Sequence, residues 1–196
     1  MHELILGGQR SGKSRCAEMR AATWLAQPGR SAVLLATALA GDAEMVARIA
    51  QHRADRAVRA LGLPELDALE VPRDLSGALR QHSAPQRLLV VDCLTLWLTN
   101  LLMPWQGAAL DAAAWSQARQ ALLDALAAAP GPVLLVSNEI GLGLSPMGAE
   151  SRRFVDELGR LYQDVAARCE RVTLMVAGIE VSVKVSVKAP PDGGAL

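Results

Sequence analysis

An eight-residue glycine-rich segment near the start of the chain constrains the fold more strongly than any other part of the sequence. Residues 7–14 read GGQRSGKS and match the pattern G-x-x-x-x-G-K-[ST]. An apolar run precedes the segment and a helical pattern follows it. In that context the backbone N–H groups of the loop and the N-terminus of the helix face the same anion. We therefore predict a phosphate-binding loop made of Gly7, Gly8, Gln9, Arg10, Ser11, Gly12, Lys13 and Ser14.

Two side chains of this loop have a chemical role in a nucleoside triphosphate site. Lys13 can reach the β- and γ-phosphates, and the hydroxyl group of Ser14 can bind Mg²⁺. Lys13 is the only lysine before Lys184, in a chain where arginine outnumbers lysine 17 to 3. The alternative is a glycine-rich turn that contains a lysine by chance, and the flanking strand and helix patterns disfavour it.

Alternating apolar runs and helical patterns predict the fold class. The apolar runs lack polar alternation, as expected for buried parallel strands, and they cover residues 3–6, 32–36, 88–91, 133–136 and 172–177. The helical patterns cover residues 14–25, 42–61, 93–102, 110–128 and 149–168. This order predicts an α/β fold, a P-loop NTPase-type mostly parallel sheet with helices on both faces. We expect a single domain over residues 1–188, a terminal strand in the repeated VSVK of residues 181–188, and a frayed tail over residues 189–196.

Charge, hydropathy and cysteine content exclude several function classes. Twenty basic and twenty acidic residues cancel, so the chain has no overall positive field for a nucleic acid. No apolar run approaches the roughly 18 residues of a membrane span, and the N-terminus lacks the pattern of a signal peptide. The three cysteines, Cys16, Cys93 and Cys169, are too far apart for a metal or redox motif. We expect a cytoplasmic protein with reduced, mostly buried thiols.

Asp92 ends the apolar run LLVVD and supplies the second half of the predicted site. A carboxylate at the end of a strand beside a phosphate-binding loop can hold Mg²⁺ directly or through water. Many strands end in an acidic residue, so this signal is informative only together with the loop. Ser14 and Asp92 are the predicted Mg²⁺ ligands, and Lys13 and Asp92 are predicted to be catalytic.

His52 lies in a helical pattern that is rich in arginine. Met45, Ile49 and His52 share one predicted helix face, and arginines surround it. Periodicity alone favours a histidine packed against the protein body beside a solvated arginine face. A neutral imidazole flanked by arginines is also suited to attack a phosphate group. Of the other histidines, His2 is terminal and His82 is placed in a polar loop, so both are expected at the solvated surface.

Several further segments follow the phosphate-binding loop: ATA at 36–38, DAEM with RI and HR between 42 and 53, VDCLTLWLTNLL at 91–102, VSNEIGLG at 136–143, SRRF with LGRL between 151 and 161, and AGI at 177–179. With these segments the chain resembles a known family, the bifunctional adenosylcobinamide kinase/adenosylcobinamide-phosphate guanylyltransferases of cobalamin biosynthesis. The resemblance covers roughly residues 4–184. The loop is generic to P-loop proteins, whereas the histidine segment, the block over residues 92–102 and the block over residues 138–143 are specific to this family and stand in matching order.

The resemblance implies two reactions. The enzyme would phosphorylate adenosylcobinamide with ATP or GTP, and would then transfer GMP from GTP to give adenosylcobinamide-GDP and pyrophosphate. His52 matches the family's guanylylated histidine, so it is implied to be catalytic. The resemblance also implies a bound corrinoid, Mg²⁺ and a homo-oligomer, for example a trimer. Besides the loop, the implied nucleotide-binding residues are Ala36, Thr37, Ala38, Arg53, Ala54, Asp55, Arg56, Glu70 and Asp92.

The sequence departs from the family pattern after His52. Ala57 stands where the family usually has proline, the tryptophan that the family has shortly before the next proline is missing, and residues 62–68 resemble a small insertion. Glu70 is taken as the counterpart of a family glutamate that contacts the nucleotide. These departures concern the guanine pocket and leave the phosphate-binding loop unaffected.

Two other function classes remain open. One is a monofunctional P-loop small-molecule kinase in which His52 is structural, and a protein–GMP adduct would distinguish it. The other is a binding module that uses the triphosphate as a conformational signal. At residue level, Asn138 could orient substrate or cap the next segment. Trp97, Trp105 and Trp115 could form an apolar wall for a corrinoid or pack in the core or an interface.

Overall fold

A computed structural model describes residues 1–39, 46, 47, 50, 66–143 and 146–185 of the chain. The helix predicted over residues 42–61 lies outside this part, except for residues 46, 47 and 50, which are helical. The predicted tail lies outside it as well. Within the described part no helix is long and apolar enough to cross a membrane.

The described elements alternate between strands and helices along most of the chain. The strands are β1 (His2–Gly7), β2 (Ser31–Ala36), β3 (Asp67–Glu70), β4 (Arg87–Asp92), β5 (Val133–Asn138), β6 (Arg171–Val176) and β7 (Ile179–Val185). The helices are α1 (Lys13–Leu25), α2 (Leu75–His82), α3 (Leu94–Leu102), α4 (Ala112–Ala128) and α5 (Ala149–Arg168).

All the described strands join one sheet, in the order β3-β2-β4-β5-β1-β6-β7. Every neighbouring pair is parallel except β6 and β7, which form an antiparallel hairpin. Because parallel strands end at the same edge, the residues that follow β1, β2, β4 and β5 meet along one side of the sheet. The predicted mostly parallel α/β sheet is confirmed.

Two hydrophobic clusters cover the two faces of the sheet. On one face α1 packs Cys16, Ala17 and Ala21 against strand residues that include Ile5 and Val136. On the other face α2, α3, α4 and α5 pack against strand residues that include Leu4. Successive strand residues, such as Leu4 and Ile5, belong to different clusters because their side chains point to opposite faces of the sheet. The helices therefore lie on both sides of the sheet, as predicted.

The sequence-based element pattern was wrong between residues 67 and 82. Strand β3 and helix α2 were not predicted, and His82 ends α2 instead of lying in a loop. The sequence gives no strand signal for β3 because Asp67, Ala68 and Glu70 are exposed, and its conformation comes from pairing with β2. Helix α2 is only 8 residues long, and its N-cap is Asp74, whose side chain accepts a hydrogen bond from Gly77 N.

Two of the three tryptophans considered for a corrinoid wall are core residues. Trp97 and Trp115 are 1% and 3% exposed, and their ring centroids lie 5.6 Å apart. Trp105 is 69% exposed. All three cysteines are buried and free, as expected.

Candidate functional site

The predicted phosphate-binding loop connects β1 to α1 at the edge where the parallel strands end. Gly7 has φ 155°, and a Cβ atom there would stand 2.5 Å from Ser11 Oγ and 2.6 Å from Met175 O. Gly12 precedes the helix with φ 101°, a left-handed value that favours glycine. Both positions therefore require glycine, one for space and one for conformation. Gly8, Gln9 and Arg10 are exposed at the tip.

Lys13 begins α1, and its ammonium group points back over the loop. Its Nζ donates a 2.6 Å hydrogen bond to Gly8 O, and the residue is 8% exposed. Burial lowers the pKa of Lys13, while the negative charge of Asp92 opposes that shift. Asp92 ends β4 at the sheet edge where the loop follows β1, so the structure places two predicted catalytic residues at the same edge.

Ser14 and Asp92 line one small cavity beneath the first turn of α1, and Glu18 borders it too. The cavity therefore joins the two residues predicted to hold Mg²⁺. Among the described residues no group of three or more His, Cys, Asp or Glu side chains could hold a metal by itself. One hydroxyl group and one carboxylate suit Mg²⁺, which keeps several water molecules and shares ligands with substrate phosphates.

A buried polar network fixes the ends of β2, β3 and β4 to one another. Thr37 is fully buried, and its Oγ1 accepts from Cys93 N at 2.8 Å and donates to Cys93 O at 2.7 Å. Asn100 of α3 donates from Nδ2 to Thr37 O at 2.7 Å and to Pro72 O at 2.9 Å. Arg73 in turn donates to Asn100 O. Sequence reasoning did not identify Asn100, since its partners come from two segments that are distant from it in the sequence.

A second buried network lies where β5 ends. Ser137 Oγ is 2.9 Å from Thr95 Oγ1 and 2.8 Å from the hydroxyl oxygen of Tyr162. Tyr162 donates to Asn138 O at 2.5 Å, and Asn138 N donates to Thr95 Oγ1 at 3.0 Å. Asn138 does not cap a helix, because α5 begins at Ala149 after Gly148. Its backbone is held in place beside Gly7, its partner in the β1–β5 register.

The other nucleotide residues implied by the resemblance lie at the same edge where the structure describes them. Ala36 ends β2, Ala38 follows it, and Glu70 ends β3 opposite Ala36. The Thr37 side chain is turned inward, so only its backbone faces this edge. Five implied residues lie outside the described part of the chain: His52, Arg53, Ala54, Asp55 and Arg56.

The arrangement can bind and polarise a triphosphate. Loop N–H groups, a lysine, a hydroxyl group and a carboxylate converge at the edge of a parallel sheet, where they can neutralise charge on transferring phosphoryl groups. Fold and site together define a P-loop nucleotide-dependent protein. A family model described as cobinamide kinase / cobinamide phosphate guanyltransferase matches residues 3–183, and the chain belongs to this family.

Curated relatives agree with that assignment. The chain is 50% identical over 184 residues to "Bifunctional adenosylcobalamin biosynthesis protein CobP" of Pseudomonas aeruginosa, covering 94% of this chain and 98% of that protein. It is 35% identical over 190 residues to "Bifunctional adenosylcobalamin biosynthesis protein CobU" of Escherichia coli, covering 92% and 98%. The family membership that the sequence motifs predict is thereby confirmed.

A solved structure with a similar fold is the flagellar accessory protein FlaH from Methanocaldococcus jannaschii. The TM-score is 0.50 at 11% sequence identity, and the match covers 94% of this chain and 78% of that chain. At this identity the likeness concerns the fold alone.

Proposed function

We propose that the protein phosphorylates adenosylcobinamide with ATP or GTP and then transfers GMP from GTP to the resulting phosphate. The products of the second step are adenosylcobinamide-GDP and pyrophosphate. The single observation that carries this proposal is the family match over residues 3–183, and a phosphate-binding loop whose Ser14 shares a cavity with Asp92 agrees with it. The two corrinoids are then the substrate partners.

Lys13, Ser14 and Asp92 serve the kinase step in this proposal. Lys13 and the N–H groups of the loop bind the β- and γ-phosphates and orient the γ-phosphorus toward the hydroxyl group of adenosylcobinamide. Ser14 and Asp92 would hold Mg²⁺, which supplies positive charge to the phosphate oxygens. The oxygen atoms of Ser14 and Asp92 suit that ion, and Glu18 also borders their shared cavity, whose other lining residues are apolar. Only one phosphate-binding loop lies in the described part of the chain, so both triphosphate reactions are expected to use it.

His52 is the proposed nucleophile of the guanylyl step. An imidazole nitrogen forms a bond to the α-phosphorus of GTP, and the bond from that phosphorus to the pyrophosphate oxygen breaks. A phosphate oxygen of adenosylcobinamide phosphate then displaces the imidazole, which restores His52. Arg53 and Arg56 are proposed to neutralise the α-phosphate, and Ala36, Thr37, Ala38, Ala54, Asp55 and Glu70 are proposed to contact the nucleotide.

A labelling experiment separates this function from that of a plain kinase. Wild-type protein incubated with GTP labelled at the α-phosphate should retain label that acid removes, as expected for a P–N bond. His52→Ala should retain none and should still phosphorylate adenosylcobinamide, whereas the control His82→Ala should behave like wild type. A His52→Ala protein that takes up label, or a label that survives acid, would favour the monofunctional kinase. Nucleotide binding without consumption in the presence of cobinamide would favour a binding module.

We further propose a cytoplasmic homo-oligomer, such as a trimer, built from one domain over residues 1–188. Strand β7 is at an edge of the described sheet and carries Ile179, Val181, Val183 and Val185, all 45% exposed or more. An apolar row of this kind supports self-association. Analytical ultracentrifugation of wild-type protein tests the oligomer, and a monomer at micromolar concentration would contradict it.

A further inference from the structure

The hairpin formed by β6 and β7 lies directly against the phosphate-binding loop. Its turn consists of Ala177 and Gly178, with φ values of 50° and 81°, as in a tight two-residue turn. Gly178 N donates a 2.9 Å hydrogen bond to Ser11 O. A Cβ atom on Gly12 would stand 3.4 Å from Gly178 Cα. The turn therefore packs against the loop. It contacts the loop at the peptide between Ser11 and Gly12, just before Lys13.

Within a single chain, apolar burial contributes little to holding β7 in that position. Six of its seven residues are exposed, including the apolar Ile179 and Val183 at 67% and 62%. Apart from pairing with β6, the strand makes polar contacts at two of its residues. Near the turn Glu180 binds Arg20 and accepts a 3.5 Å hydrogen bond from Cys16 Sγ, and at the other end Lys184 Nζ donates to Ala166 O. Pairing of β6 with β1 fixes one side of the turn, and the ion pair of Glu180 with Arg20 is the charged contact nearest to its other side.

Arg20 joins helix α1 to both the hairpin and the strand that leads into the loop. Its Nη2 is 2.5 Å from Glu180 Oε2, and its Nε is 3.2 Å from Glu3 Oε2. Glu3 is 1% exposed on β1, where Thr173 also donates to it at 2.7 Å. The guanidinium group lowers the pKa of Glu180, so the pair is charged at neutral pH.

We infer that Arg20 and Glu180 are positioning residues for nucleotide binding, acting through the contact of Gly178 N with Ser11 O. The ion pair holds β7 against α1. It thereby sets the distance between the turn and the phosphate-binding loop. The turn then holds the Ser11 carbonyl outward, so that the N–H groups of Gly12 and Lys13 stay directed into the cradle. This inference rests on the proposed use of the loop for ATP and GTP.

The test compares two variants on the same strand. Glu180→Gln removes the charge near the turn and preserves the shape of the side chain, and Lys184→Met removes the other contact at the far end. Nucleotide Kd, KM and kcat are measured for both triphosphate reactions, together with the Tm of nucleotide-free protein. We expect Glu180→Gln to raise Kd and KM for ATP and GTP about three- to tenfold, with kcat nearly unchanged. Lys184→Met should leave the nucleotide constants within twofold.

Arg20→Lys supplies a second route to the same conclusion. The lysine keeps a positive charge near Glu3. It lacks the planar guanidinium group that lets Arg20 bind the carboxylates of Glu3 and Glu180 at the same time. Its effect on nucleotide Kd should therefore be non-additive with Glu180→Gln in a double-mutant cycle. A lower Tm in Glu180→Gln with unchanged nucleotide Kd would overturn the inference, and so would an equal rise in Kd for Lys184→Met. Wild-type protein that binds neither nucleotide would instead overturn the proposed function itself.

Discussion

The hydroxyl group of Thr37 exchanges two hydrogen bonds with the backbone of Cys93. It accepts from Cys93 N at 2.8 Å and donates to Cys93 O at 2.7 Å, and both residues are buried. Cys93 directly follows Asp92, so this contact fixes the carboxyl end of β4 relative to that of β2. Burial, together with the charge of Asp92, raises the pKa of the Cys93 thiol to about 12, which keeps the thiol protonated.

Thr37→Val should destabilise the protein strongly at nearly constant side-chain volume. The valine would leave the buried N–H of Cys93 without a partner and Cys93 O with only its hydrogen bond from Trp97 N, at a cost of about 1–3 kcal/mol in the free energy of unfolding. Urea denaturation measures that loss. Thr37→Ser retains the hydroxyl group and should lose much less. Equal stabilities of the valine and serine variants would show that the two hydrogen bonds contribute little.

Asn100→Leu should impair guanylyl transfer more than phosphorylation. Asn100 joins the segments after β2 and β3, which carry Ala36, Ala38 and Glu70 of the proposed guanine nucleotide site, and it does not touch the phosphate-binding loop. We expect the ratio of guanylyl transfer to kinase kcat/KM to fall about tenfold. Thr99→Ala, whose hydroxyl group bonds to Thr95 O within α3, is the control. A uniform loss of both activities would assign Asn100 a purely structural role.

Lys13→Met should stabilise the nucleotide-free protein while abolishing nucleotide binding. Burial lowers the pKa of Lys13, so the unfolded chain holds this proton more tightly than the folded chain does. The charged lysine therefore costs stability below the lowered pKa, and that cost fades as pH rises through the lowered pKa toward the ordinary value of 10.5. Each kcal/mol recovered by the methionine raises Tm by about 2–4 °C. A lower Tm at pH 7 would contradict this prediction.

Asp92→Asn should raise the Mg²⁺ concentration needed for turnover. The amide keeps the volume of the side chain but removes the charge that balances the cation. Kinase rates measured across a Mg²⁺ titration should show a shifted midpoint and only partial rescue at high concentration. Asp124→Asn changes an exposed acidic residue on α4 and should leave the titration unchanged. Wild-type activity of Asp92→Asn at low Mg²⁺ would remove Asp92 from the metal site.

Local sequence pattern was sufficient for the buried strands and for the loop, and insufficient for contacts between segments. The strand pattern of β5 shows an uninterrupted apolar run because both of its faces are covered. The polar strand β3 has no such run. The contact of Asn100 with Thr37 joins residues 63 positions apart, and that of Ser137 with Tyr162 joins residues 25 apart, so neither leaves a periodic signal. Arg20 and Glu180, which are also in contact, are farther apart still in the sequence.

The place of β1 in the sheet also determines when the nucleotide cradle can form during synthesis. Its two neighbours, β5 and β6, begin at Val133 and Arg171, whereas β2, β3 and β4 pair among themselves much earlier in the chain. A nascent chain that has emerged only as far as α4 can assemble a three-stranded sheet but leaves the apolar residues Leu4 and Ile5 without a partner strand. The nucleotide cradle therefore cannot be completed until β5 and β6 have left the ribosome. Before that point β1 lacks its partner strands, and its apolar residues are available to aggregation and to chaperones.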